Sequence, residues 1–112
     1  MPFSVEQIKG VMPALMTPYD NNGAVNFDMI RRIVTLQINE GAGGFFVCGS
    51  SGEGLLLTPD ERKRIARTVI ETVAGQVPII VHVGAVSTQE SAMLAADARK
   101  AGADAVSSIP PV

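Results

Sequence analysis

Two spacings of apolar residues alternate along the chain. Short runs that are apolar almost throughout, Val11 to Met16, Gly44 to Cys48, Pro78 to Val83 and Asp104 to Ile109, alternate with longer stretches in which apolar side chains return every three or four residues. Continuous apolar runs bounded by turn residues predict strands of a parallel sheet, because such strands are covered on both faces and have no polar side to show. The longer spacing predicts amphipathic helices. The first helix carries Phe27, Ile30, Ile33, Val34 and Ile38 inward and Arg31, Arg32 and Gln37 outward, with Asn26 as cap and Gly41 as stop. Thr58-Pro59-Asp60-Glu61 opens the second: threonine at the cap, proline in the first turn and glutamate three residues on make a capping box. Ile65, Val69 and Val73 form its inner stripe and Gly75 ends it. Ser87 and Glu90 repeat the box before Leu94, Ala95, Ala98 and Ala101, and Gly102 stops this third helix.

The predicted order is therefore β-α-β-α-β-α-β. Two architectures begin this way: an open doubly wound sheet with helices on both faces, and a closed barrel with helices outside. Periodicity does not choose between them. A dinucleotide-binding open sheet needs G-x-G-x-x-G after its first strand, where this chain has Thr17-Pro18-Tyr19-Asp20-Asn21-Asn22-Gly23. The P-loop pattern fails too, since Gly49-Ser50-Ser51-Gly52-Glu53-Gly54 lacks the Gly-Lys pair that reaches phosphates. A small nucleotide-binding sheet stays as a rival that a binding measurement by calorimetry would remove.

Composition narrows the classes of function. The 112 residues allow one core, either a single domain or a piece of a larger one, with 46% hydrophobic and 18% charged residues in a globular balance. A net charge of −2 argues against a nucleic-acid surface. Cys48 has no partner cysteine, so no disulfide framework exists; a buried, inert thiol in a reducing cytosol is the expectation. No signal peptide is visible, and no apolar run approaches the ~20 residues of a membrane helix. A soluble, cytoplasmic protein with no membrane partner is expected.

In a parallel β/α protein the chemistry lies just after the strands. Thr17, Pro18 and Tyr19 follow the first, Ser50, Ser51 and Glu53 the second, His82, Ser87 and Thr88 end or follow the third, and Pro110 and Pro111 follow the fourth. The Gly49-Ser50-Ser51-Gly52-Glu53 segment can offer two hydroxyls and free backbone N–H groups to a carboxylate or oxyanion. It can equally be a plain polar connection whose glycines supply positive φ. Ser50 has no G-x-S-x-G elbow to make it a nucleophile. His82, in mid-strand among apolar neighbours, reads as a hydrogen-bonded core residue, and Glu53 as an acid favoured near a helix start. One cysteine and one histidine give no metal-ligand cluster. Arg62-Lys63-Arg64 reads as a solvated helix face, and Tyr19 as packing or chemistry in equal measure.

These residues also resemble a known family. Gly10-Val11-Met12-Pro13-Ala14-Leu15-Met16-Thr17-Pro18-Tyr19 is similar to the first strand of the N-acetylneuraminate lyase and dihydrodipicolinate synthase family, and Gly49-Ser50-Ser51-Gly52-Glu53 to its G-[ST]-[ST]-G-E signature. Leu57 to Arg64 resembles its L-[ST]-x-x-E-R helix start, and Ala105 to Val112 the strand that runs into its P-P-x-Y-Y segment. The resemblance implies a TIM (β/α)8 barrel, with residues 1–112 as about the first half of a single domain that has no internal boundary. It implies class I chemistry, in which a lysine forms a Schiff base with pyruvate or another α-keto acid, with no metal and no other cofactor. By the same resemblance Ser51, Ser50 and the backbone at Gly52 hold the keto-acid carboxylate, and Ser50 also relays protons toward a tyrosine. A homo-oligomer, commonly a tetramer, is implied as well.

Within the family, His82-Val83-Gly84-Ala85-Val86-Ser87-Thr88 is more similar to N-acetylneuraminate lyases, which cleave their substrate to pyruvate and an aldehyde. The alternative is a dihydrodipicolinate synthase, condensing pyruvate with aspartate semialdehyde. Lys9, Lys63 and Lys100 do not fall at strand ends, so none is placed to lose its charge and attack a ketone. The family's Schiff-base lysine and catalytic tyrosines lie further along, beyond Val112. The expectation is that an intact parent is the enzyme and that these residues alone are an inactive half-barrel, prone to associate through open sheet edges.

Overall fold

The computed structural model describes residues 13–48, 57–85 and 87–107. Within them the elements run α1 (Phe27–Asn39), β1 (Phe45–Val47), α2 (Pro59–Val73), β2 (Ile79–His82), α3 (Thr88–Ala101) and β3 (Ala105–Ser107). The sheet order is β1-β2-β3, all parallel, with Phe45 opposite Ile79, Val47 opposite Val81 and His82 opposite Ser107. The predicted first strand joins β1 through a parallel bridge between Ala14 and Phe46. There the Leu15 amide donates to the Phe46 carbonyl at 2.9 Å and the Phe46 amide to that of Pro13 at 3.0 Å. Val11, Met12, Ser108 and Ile109, at the outer ends of the predicted first and fourth strands, lie outside the described residues. The remainder is a parallel α/β arrangement in the predicted order.

Alternation along the strands divides the sheet into two unequal faces. Phe45, Val47, Ile79 and Val81 are buried, joined in one core with Ile30 and Val34 of α1, Ile65, Ala66, Val69 and Val73 of α2, and Leu94 and Ala98 of α3. Each of the Phe, Ile, Val and Leu side chains among them contributes about 1.5–3 kcal/mol on leaving water. The intervening Phe46 and Ile80 are only half-buried. Helix α2 is the keystone of the helical layer, packed against α1 on one side and α3 on the other.

The caps follow the sequence. Asn26 Oδ1 accepts from the Met29 amide at 3.0 Å. Thr58 Oγ1 accepts from the Glu61 amide at 3.1 Å while the Thr58 amide donates to Glu61 Oε1 at 2.8 Å, so two free donors of the first turn are satisfied reciprocally. Ser87 Oγ accepts from the Glu90 amide at 3.1 Å, which is one half of the box expected there; among the described residues no return bond from the Glu90 side chain is seen. Helix α2 ends with Ala74 in the left-handed region, at φ 51° and ψ 41°, ahead of Gly75. A Cβ is disfavoured there by roughly 1 kcal/mol or more. Replacing Ala74 with glycine is expected to raise stability by about 0.5–1 kcal/mol, the relief of strain exceeding the cost in extra chain entropy. A urea midpoint that falls in Ala74→Gly would show that Ala74 is not strained.

Two outward assignments need correction. Gln37 is half-buried and its Oε1 is enclosed without a hydrogen-bond partner. Arg62, grouped above with a solvated face, is 5% exposed. It precedes Ile65, Ala66, Val69 and Val73 by three, four, seven and eleven positions, and so stands on their buried stripe.

Candidate active site

The carboxyl ends of the parallel strands bring together the turn after the first strand, Cys48, the segment from His82 to Ala85, and Ser107. The turn is built by Asp20, whose amide donates to the Ala24 carbonyl at 2.8 Å while its Oδ1 accepts from the amides of Asn22 at 2.8 Å and Ala24 at 3.1 Å. Gly23, at φ 82°, lets the chain reverse, and Tyr19 meets Val25 in an antiparallel bridge. Tyr19 itself is exposed.

Cys48 leaves β1 with φ at 62°, a conformation that costs a residue with a Cβ on the order of 1–3 kcal/mol and collects at functional sites. Its thiol is buried, and burial pushes the pKa up to about 11 against a smaller opposite pull from Arg62. It stays protonated at neutral pH, as expected of an inert thiol.

Arg62 occupies the space behind these strand ends. One guanidinium nitrogen donates to the Gly84 carbonyl at 2.8 Å and another to the His82 carbonyl at 2.8 Å, both buried bonds that tie α2 to the end of β2. Its Nε is enclosed without a partner. The run of three basic residues hid this role, because a charged residue among charged neighbours reads as solvated; its register on the stripe was the available signal.

His82 is buried, with Nδ1 3.3 Å from Ser107 Oγ and its ring 6.3 Å from that of Phe46. This is the hydrogen-bonded core residue the sequence suggested. Burial first, and then the Arg62 charge, hold its pKa below the ordinary 6.5. The unfolded chain therefore takes up the proton at higher pH than the folded one. Stability from neutral His82 is complete above about 6.5 and is lost as pH falls through that value toward the lower folded pKa. Urea unfolding of parent and His82→Gln is expected to show the parent's advantage shrinking between pH 7 and pH 5; an advantage that grows on acidification would reverse the assignment.

Ser50, Ser51, Gly52 and Glu53 lie outside the described residues, as do Pro110 and Pro111. The segment 49–56 starts and finishes at two buried residues, Cys48 and Leu57. Ser87 is occupied as the α3 cap and Thr88 is exposed beside it. Among the described residues no group of three or more His, Cys, Asp or Glu side chains could hold a metal ion, and no helix is long and apolar enough to cross a membrane.

A parallel β/α chain with its polar groups gathered at the carboxyl ends of consecutive strands defines a class, the repeating β/α proteins with sites on that rim. Within that class, residues 7–112 match the dihydrodipicolinate synthetase family, and the chain belongs to it. An N-acetylneuraminate lyase of Citrobacter koseri is 42% identical over 106 residues, covering 95% of this chain and 36% of that relative. The solved N-acetylneuraminate lyase from Mycoplasma synoviae superposes with a TM-score of 0.92 at 30% identity, over 97% of this chain and 38% of that one. Dihydrodipicolinate synthase from Aquifex aeolicus gives 0.88 at 28% identity, over 93% of this chain and 35% of its own. The chain thus spans a little over a third of these relatives.

Proposed function

We propose that this chain supplies the N-terminal part of a single (β/α)8-barrel domain in a class I pyruvate lyase, with N-acetylneuraminate or a related keto acid as substrate. The observation that carries the reading is the 42% identity to a lyase over 95% of the chain, and the Gly49-Ser50-Ser51-Gly52-Glu53 segment resembles the family's signature. The barrel is supported by strands that follow one another without a reversal of order and by helices packed side by side, since a doubly wound sheet needs a switch point. Apolar groups stand uncovered at both ends of the layer: Met29 and Leu36 on α1, and Val106 beside a groove of about 600 Å³ lined by Ala95, Ala96 and Ala103. Further β/α units would cover both.

In this reading Ser51 and the Gly52 backbone hold the keto-acid carboxylate, which turns the ketone toward a lysine on a later strand. The amine adds to the keto carbon, water leaves, and the resulting iminium accepts the electron pair of the breaking carbon–carbon bond as the aldehyde departs. Ser50 passes the proton released from the substrate hydroxyl to a tyrosine, and the carbon left behind is reprotonated before water frees pyruvate. No metal or other cofactor enters these steps. A cytoplasmic homotetramer, the form that the resemblance implies, is how the enzyme would work in this reading. Condensation of pyruvate with aspartate semialdehyde shares the same first half.

Intact mass spectrometry after incubation with pyruvate and borohydride tests this. The full-length protein is expected to carry one reduced pyruvyl adduct, and a 112-residue chain none. Failure to trap an adduct on the full-length protein would overturn the class I reading, and an adduct on the short chain would overturn the placing of the lysine. Release of pyruvate from N-acetylneuraminate then separates lyase from synthase.

A further inference from the structure

We infer that α2, β2 and α3 enclose a binding site for one water molecule, which joins Arg62 to Asp97 as a water-separated ion pair. The inference is independent of the lyase reading and of any substrate.

Two observations carry it together. Among the described residues Arg62 Nε and Asp97 Oδ2 are enclosed side-chain atoms without a hydrogen-bond partner, one a donor and the other an acceptor. Both residues also wall the same cavity of about 10 Å³, at the place where α2, β2 and α3 meet. Its other polar walls are Lys63 and His82, and the rest is apolar, Val81 and Leu94 among it. The remaining bonding atoms of the two side chains are committed elsewhere. The terminal nitrogens of Arg62 donate to the carbonyls of His82 and Gly84 at 2.8 Å each, and Asp97 Oδ1 accepts from Arg67.

The chemistry of the walls selects the occupant. A cavity of this size is about one water across, and a buried water needs at least two polar partners, which Nε–H and Oδ2 supply with opposite roles. A cation would face two basic residues, an anion would face a carboxylate, and nothing larger than water fits. Leaving a buried donor and a buried acceptor unmet costs more than ordering one water between them. The water accepts from Arg62 Nε–H and donates to Asp97 Oδ2, so the buried guanidinium, 5% exposed, gains a carboxylate partner at one remove. A polar chain then runs from Arg67 through Asp97, the water and Arg62 to the backbone that leaves β2, and it locks α3 to α2 beneath the strand end.

A crystal structure of the full-length protein, at a resolution that shows ordered water, tests this directly. One density peak within about 3 Å of both Arg62 Nε and Asp97 Oδ2 is the expected result. No peak there, or a direct bond from Asp97 Oδ2 to Arg62 Nε or to the Lys63 ammonium, would overturn the inference. A double-mutant cycle with Arg62→Met and Asp97→Ala, made in an Arg67→Ala background that removes the direct pair, measures the link by urea unfolding. The double variant is expected to retain a folding equilibrium constant on the order of fivefold or more above the product of the two single losses. Losses that simply multiply would show that the two groups are not joined. Should Arg62→Met fail to fold, the crystal structure of the unsubstituted protein still decides.

Discussion

Replacing Ser51 with alanine in the full-length protein is expected, on the lyase reading proposed above, to lower kcat/KM for the keto acid by roughly a hundredfold, mostly through KM. A hydroxyl that binds the carboxylate acts on the bound substrate and the transition state alike, so its removal weakens both. Ser50→Ala is expected to act differently. A proton relay matters only while a proton is moving, so kcat should fall while pyruvate is still trapped by borohydride near the parent's concentration. Steady-state kinetics and trapping on the two variants separate these outcomes. If both variants stay within about twofold of the parent, a change too small for either role, the segment is the plain polar connection that its composition also allows.

The order of elements and their caps were legible because each rests on local chemistry. Asn26, Thr58 with Glu61, and Ser87 all accept the amide three residues on, as their spacing predicted. Gly102 takes φ 107° where α3 had to stop. Arg62 was not legible, since its residue type and its register point in opposite directions and only the packed strands decide between them. Gln37 failed for the same reason. The strain at Cys48 has no sequence signal either: φ of 62° at a residue other than glycine follows from how β1 is held, not from what the residue prefers.

Closure of the sheet was also beyond periodicity, because a strand buried on both faces reads the same in a barrel and in a doubly wound sheet. It was the resemblance that pointed to the barrel, and the unreversed strand order supports it. The substrate is a further step away. The match to a lyase covers 38% of that chain and the match to a synthase 35% of its own, with TM-scores of 0.92 and 0.88. Groups that discriminate between an amino sugar and aspartate semialdehyde must touch the second substrate, and the proposed role of Ser50 and Ser51 concerns the keto acid that both reactions share.

Phe45→Ala is expected to cost about 3–5 kcal/mol of stability, the range for a large side chain removed from a packed core. Phe45 has no exposed surface, starts β1 opposite Ile79, and belongs to the core shared with α1 and α2. Urea unfolding should show a lower midpoint with an unchanged slope. A loss below about 1 kcal/mol would show that the site collapses or that Phe45 is not enclosed. Its neighbour makes the more searching comparison. Phe46 points to the opposite face and is half-buried among the described residues. If the sheet closes into a barrel, that face becomes the filled interior, and Phe46→Ala in the full-length protein should approach the cost of Phe45→Ala. If the sheet stays open and that face is wet, Phe46→Ala should cost well under half as much. The ratio of the two losses therefore measures closure, independently of any substrate.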